Sequence, residues 1–319
     1  MLRNHDTMLA MNTYRSALIG VALTCCLAFS GARSAVPPPD LPAAIFTDPV
    51  DDAAHPASGQ GIQFHSHGAL INAQLYRPPG VGPHPTAVVL HGLPGNEQNL
   101  DLAQVLRRAG WTVIAFHYTG SWGSGGQFSL RGGVDDAAAL LAYLHVPANA
   151  KSWDVDPEHI VLVGHSYGGY VAARAAAESP GVVGVVLLAP WNPNMDFQAW
   201  SALTPAERSK AAAANFDDVD GRLAGATHTS LLKEIMRDGS TLDLTTLAAP
   251  LASRSVLLIT ASHDDNDDKA GDFIAGMQRN GAAHFTTELM ETDHGFNSRR
   301  IALQASVLRW LALLPGAPH

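Results

Sequence analysis

Alternation of apolar and polar residues sets in near position 61. Ile62, Phe64 and, beyond a turn at Gly68, Leu70, Ile71, Leu75 and Tyr76 predict a β-hairpin that ends at Arg77-Pro78-Pro79-Gly80. Short apolar runs then take turns with stretches of helical period. Strands are predicted over 86–91, 111–117, 159–164 and 181–189, and helices over 97–109, 134–145 and 167–178 between them. Such punctuation predicts repeated βαβ units and hence a mostly parallel central sheet flanked by helices, an α/β fold. After Pro190 the strand rhythm stops across 191–250, where the period predicts helices over 205–214 and 230–237. It resumes with a strand over 255–260, a helix over 269–280, a strand over 284–290 and a last helix near 297–314. The interruption is expected to be a small helical cap inserted into one domain spanning 61–319, not a second domain.

Residues 1–32 follow another pattern. Arg3 and Arg15 precede an apolar run over 17–29, and the small residues Ser30, Gly31 and Ala32 follow, which is the layout of a secretory signal peptide. The run is too short to span a bilayer, and no other segment reaches that length, so no membrane span is expected in the mature chain. Cleavage is expected after Ala32, with Ala35 as the alternative site and Met11 as an alternative start. Cys25 and Cys26 are the only cysteines and both lie in this segment, so the exported protein, periplasmic or secreted, would carry neither thiol nor disulfide. Neither cysteine has the context of a lipoprotein anchor. Residues 33–60, rich in Pro and Asp, are predicted to be a lead-in lying over the surface.

Composition narrows the function classes. With 46% hydrophobic and 15% charged residues the chain can bury a large core, which excludes disorder and collagen-like repeats. Against 29 Asp and Glu stand 20 Lys and Arg, a formal charge of -9, so the chain lacks the electrostatic footprint of a nucleic-acid binder.

Candidate chemistry begins at Gly164-His165-Ser166-Tyr167-Gly168, a G-x-S-x-G string. The string alone is weak, and a Gly-rich turn with a capping serine is the plainer reading. Its flanks decide. Ile160-Val161-Leu162-Val163 is a buried-strand run directly before it, and Gly169-Tyr170-Val171-Ala172-Ala173-Arg174 is a helical run directly after it. Strand, tight turn and helix are what a nucleophile elbow at Ser166 requires, with glycines where side chains would collide.

A serine hydroxyl needs a base to take its proton and a carboxylate to orient that base. His294, in Thr292-Asp293-His294-Gly295-Phe296, lies between the last predicted strand and the last helix, where a loop would carry it to Ser166. Other histidines compete less well: His91 and His165 lie beside motif positions, and His263 precedes an acid. For the carboxylate, Asp264 follows the 255–260 strand and completes the chain order Ser, Asp, His. Asp265 and Asp196 are the alternatives. The acidic run Asp264, Asp265, Asp267, Asp268 lacks the glycine and terminal glutamate of a calcium loop, and His65 and His67 have ligand spacing without a third partner, so no metal is expected. The oxyanion of a tetrahedral intermediate needs two amide donors. Tyr167, directly after the nucleophile, should supply one; Leu93, in His91-Gly92-Leu93-Pro94-Gly95, should supply the other, because Pro94 has no N–H.

With these residues in order, the chain resembles the α/β-hydrolase superfamily, nearer its esterase and prolyl-oligopeptidase-like branches. Gly92-Leu93-Pro94-Gly95-Asn96-Glu97 and Phe116-His117-Tyr118-Thr119-Gly120-Ser121-Trp122-Gly123-Ser124-Gly125-Gly126 are similar to a bacterial subgroup whose substrates are mostly unassigned. The resemblance implies a triad of Ser166, Asp264 and His294, and an aspartate nucleophile, as in dehalogenases and epoxide hydrolases, is excluded by Ser166. Too little chain precedes the first strand for the propeller domain of the large peptidases, so an oligopeptidase is not expected. The Gly-rich loop 118–128 is no P-loop, since no Gly-Lys-Ser/Thr follows it; Trp122 and Phe128, with Trp191 at the cap entrance, are candidates for pocket walls beside Ser166, and Trp200 and Phe197 stand near them. The function expected is cleavage of small-molecule carboxylic esters through an acyl-enzyme, without a cofactor. A peptidase or amidase on short peptides, or a catalytically silent binding protein on the same fold, is the alternative.

Overall fold

His67 and Gly68, with φ of 45° and 87°, close the two-residue turn that the sequence anticipates, because positive φ at both positions matches the right-handed twist of the strands they join. A computed structural model describes residues 41–264 and 267–318, with side chains described in the last run from position 270 onward. In it the turn pairs β1 (Ser58–Ser66) with β2 (Ala69–Arg77) antiparallel, from Ser66 opposite Ala69 to Ser58 opposite Arg77. Phe64, Ile71 and Leu75 point to the core.

The order then runs β3 (His84–Leu90), α1 (Leu100–Arg108), β4 (Thr112–Phe116), α2 (Leu130–Leu144), α3 (Pro147–Trp153), β5 (Val155–His165), α4 (Tyr167–Glu178) and β6 (Val182–Leu188). Helices α5 (Pro193–Ser201), α6 (Pro205–Phe216), α7 (His228–Asp238) and α8 (Ala248–Leu251) follow, then β7 (Ser255–Ala261), α9 (Asp267–Arg279), β8 (Phe285–Met290) and α10 (Arg300–Leu311). The described residues form an eight-stranded sheet in the order β1-β2-β4-β3-β5-β6-β7-β8, antiparallel at β1, β2 and β4 and parallel from β4 through β8.

Central strands carry continuous apolar runs because both faces are covered. Val88, Leu90, Leu162, Val185 and Leu258 pack with α2, α4 and α9, while their neighbours Val89, Val163, Val186 and Leu257 pack with α1 and α10. After β3 the chain moves to β4 on one side and then to β5 on the other. This reversal leaves a crevice at the carboxyl ends of β3 and β5, where an open α/β sheet holds its ligands.

Between β6 and β7, where a cap was anticipated, the helices are stitched to loop 118–128 and to α2. Ala224 N–H donates to Gly120 O at 2.7 Å, Phe128 N–H to Ala224 O at 2.9 Å, and the buried Glu234 accepts from Leu130 N–H at 2.9 Å. Several elements differ from expectation. Helix α2 begins at Leu130, four residues early, because Ser129 caps it by accepting from Gly132 N–H, and the glycines there mask its start. α3 and α5 were not anticipated; each is short and starts on a proline at its first turn. α10 spans 300–311 instead of 297–314, since Phe296 takes a positive φ of 56° and the turn after it delays the helix. Residues 1–32, for which a signal peptide was expected, lie outside the described residues.

Candidate active site

Ser166 occupies the bend between β5 and α4 with φ 55° and ψ -119°, a conformation that L-residues avoid. Surrounding hydrogen bonds hold it there: Ser166 N–H donates to Leu188 O, and its own carbonyl accepts from Gly169 and Trp191, each at 2.9 Å. A Cβ at Gly164 would lie 2.0 Å from Gly168 O, and one at Gly168 would lie 2.1 Å from Leu90 O. Only glycine lets strand, helix and the end of β3 close this tightly.

The loop after β3 runs against the elbow, since a Cβ on Gly92 would come 3.0 Å from Ser166 Cβ. That places Leu93 beside the nucleophile candidate, while Tyr167 stands at the first position of α4, the positive end of the helix dipole. His91 braces the loop from beneath: its Nδ1–H donates to Gly92 O at 2.7 Å and its carbonyl accepts from Tyr118 Oη at 2.9 Å. Burial lowers the His91 pKa to about 4, so the ring is neutral.

The loops after β7 and β8 lie side by side, joined by Ser262 N–H to Met290 O at 2.9 Å and His263 N–H to Thr292 O at 3.0 Å. This pairing delivers Asp264 to His294, with Nδ1 and Oδ2 2.6 Å apart. The carboxylate side chain is 5% exposed and the imidazole 37%, so the acid is shielded while the ring keeps a partly open face. His165, one residue before Ser166, donates from Nε2 to His294 O at 2.8 Å, which fixes the His294 loop against the elbow. With Nδ1 engaged by Asp264, Nε2 is the nitrogen of His294 left for proton transfer.

Residues 87–303 match the model of the Alpha/beta hydrolase family. The chain belongs to that family. Its structural neighbours include an esterase of Pyrococcus furiosus, at 13% identity and a TM-score of 0.58, covering 84% of this chain and 98% of that one. An acylaminoacyl peptidase of Pyrococcus horikoshii aligns at 16% identity and a TM-score of 0.57, over 80% of this chain and 40% of the peptidase. At such identities both report the fold. The quorum-quenching protein AidA of Acinetobacter baumannii is 27% identical over 179 residues, 54% of this chain and 56% of AidA. The chain spans about half the length of the curated relatives it matches.

Within this hydrolase fold, the alternative acid Asp196 is occupied elsewhere: it is buried and accepts from Trp191 Nε1–H at 2.6 Å. Asp265 lies outside the described residues. His65 and His67 are both exposed at the hairpin tip, and among the described residues no group of three or more His, Cys, Asp or Glu is placed to hold a metal.

Two of the three pocket candidates are interior. Phe128, 6% exposed, packs edge-on against Tyr118 and Tyr167, and Trp191, 7% exposed, packs against Tyr167 and Phe216. Aromatic packing under the elbow accounts for their positions; spacing near the motifs could not separate a wall from a floor. Trp122, 43% exposed, stands at the rim and donates from Nε1 to Pro94 O at 2.8 Å, so it is tied to the Leu93 loop. Sequence reasoning set His165 aside and missed Arg300. A histidine at the end of an otherwise apolar strand was the available signal for the first; nothing local marks the second.

Proposed function

We propose that the protein is a serine hydrolase that cleaves carboxylic esters through an acyl-enzyme. The observation carrying this reading is the 2.6 Å contact of His294 with Asp264 on a loop bonded to the residue before Ser166. In this mechanism Ser166 Oγ attacks the ester carbonyl as His294 Nε2 takes its proton, and Asp264 stabilises the resulting imidazolium. The Leu93 and Tyr167 amides hold the oxyanion. Collapse returns the proton to the departing alcohol, leaving an ester on Ser166, which water hydrolyses by the same base in a second cycle. Protons and charge balance without a cofactor.

The same steps serve an amide bond when the leaving amine is protonated, so the substrate panel must include both. p-Nitrophenyl esters of increasing chain length, run beside aminoacyl anilides, should show turnover on the esters, and a fluorophosphonate should label the peptide containing Ser166. Turnover on anilides alone would assign a peptidase; no turnover and no label would assign a silent binding protein. We also propose export, for which the support is the 1–32 segment. N-terminal sequencing of the periplasmic or secreted protein should begin at Arg33; retention in the cytoplasm with residue 1 intact would refute it.

A further inference from the structure

His165 takes no part in the chemistry proposed above, yet it lies between the His294 loop and the loop after β3. It is the residue before the nucleophile. Its Nε2–H donates to the main-chain carbonyl of His294 at 2.8 Å, across 129 residues of chain. Its ring lies 4.7 Å from the His294 ring and 6.3 Å from Phe296, centre to centre. On the opposite side its Nδ1 faces the oxyanion loop, 3.4 Å from where a Cβ on Gly92 would stand, and it is buried with no hydrogen-bond partner.

The His294 imidazole is partly exposed on a loop, and a ring so placed can swing unless its backbone is held. Asp264 fixes one end of the ring. Without the bond to its carbonyl, the loop could shift relative to Ser166 while that pairing survived. We infer that His165 is a positioning residue, whose Nε2–H registers the His294 loop against the nucleophile. The inference rests on the reading of Ser166 and His294 as nucleophile and base.

The state of the ring agrees. Burial, with the proximity of His294 and Arg300, drives the His165 pKa down to about 3, although Asp264 acts in the opposite sense. A neutral ring bonded through Nε2–H keeps its proton in place, and it adds no positive charge that would oppose imidazolium formation on His294. A histidine that merely filled space would be replaceable by an apolar side chain without loss of turnover.

Three variants separate these roles. His165→Leu removes the donor and keeps bulk, His165→Asn keeps an amide too short to reach the carbonyl, and His165→Gln carries an amide nitrogen that can reach it. His165→Leu and His165→Asn should lose about 100-fold in kcat on a p-nitrophenyl ester with KM within about threefold, and His165→Gln should recover to within about tenfold of wild type. The acid limb of the pH profile should persist in all three, because none of the substitutions touches the proposed base. Full kcat in His165→Leu and His165→Asn would overturn the inference in favour of packing. A His165→Gln variant no better than His165→Asn, or loss of the acid limb, would overturn it as well. Should His165→Leu fail to fold, the Asn and Gln pair carries the comparison. Failure of the underlying reading is distinct, since Ser166→Ala would then retain turnover.

Discussion

Arg300 and Asn99, separated by 201 residues in sequence, meet beside the crevice: Nη1 and Nη2 of Arg300 each donate to Asn99 Oδ1 at 3.1 Å. The same guanidinium donates from Nη1 to Gly295 O at 3.1 Å, from Nε to Asp101 Oδ2 at 2.9 Å, and from Nη2 to Asp101 Oδ1. One side chain thus links the loop of His294 to the start of α1, which follows the loop of Leu93. Together with His165 it claims two consecutive carbonyls, those of His294 and Gly295.

On the proposed function, Arg300→Ala should lower kcat on a p-nitrophenyl ester by about tenfold with KM little changed, because the His294 loop loses one of its tethers. Arg300→Lys should restore little, since an ammonium cannot reproduce a planar fork that serves acceptors on three residues at once. Steady-state kinetics of both variants check this, with Tm expected to fall by about 2 to 6 °C. Wild-type kcat in Arg300→Ala would assign the clamp to stability alone.

Asp264→Asn should cost on the order of 10³ to 10⁴ in kcat, because the amide leaves the imidazolium unbalanced and favours the wrong tautomer. Asp196→Asn should change turnover by less than about tenfold and stability by about 1 kcal/mol, since it holds Trp191 and stands outside the proposed triad. Asp265→Asn should likewise cost less than about tenfold. A crippled Asp196→Asn enzyme with normal stability would move the acid to the loop after β6.

Legibility in sequence followed the range of the interactions involved. The hairpin, the βα alternation and the elbow were readable because each rests on residues within a few positions: apolar period, His67-Gly68, and glycines flanking Ser166. Order along the sheet then brought Asp264 and His294 into one neighbourhood. Helices α3 and α5 escaped because each has about two turns, and their starts on Pro147 and Pro193 read as breaks. The depth of Phe128 and Trp191 depended on which way the cap folded, and the Arg300 clamp joins positions 201 apart with no local pattern.

Acid should destabilise the protein through two histidines that the fold keeps neutral. His91 and His165 have pKa values of about 4 and about 3, below the ordinary 6.5, with burial the leading cause in each. Their stabilising contribution is complete above pH 6.5, where folded and unfolded chains are both unprotonated. It is lost as pH falls from there through the folded values, because the unfolded chain takes up the protons first. Each should contribute a slope of about 1.4 kcal/mol per pH unit within that window. Urea unfolding between pH 7 and pH 4 measures it, and His165→Gln should flatten the slope by one proton. An unchanged slope in His165→Gln would show that its ring is charged in the folded protein.

Glu234 provides the converse case at the cap. It is buried, and its carboxylate accepts from Leu130 N–H at 2.9 Å and Arg131 N–H at 3.3 Å, capping α2 from α7. Burial raises its pKa despite those two amides. A raised folded value means that this group favours folding most below the unfolded pKa, and that the benefit fades as pH rises through the folded one. At neutral pH the buried charge is therefore a burden that the amide bonds only partly offset. Glu234→Gln, which keeps an acceptor and drops the charge, should lie within about 1 kcal/mol of wild type at pH 7, whereas Glu234→Ala should lose about 1 to 3 kcal/mol by orphaning the α2 amides. Urea midpoints at pH 7 decide it: a Gln variant as unstable as the Ala variant would mean that the ionised carboxylate itself holds the cap to α2.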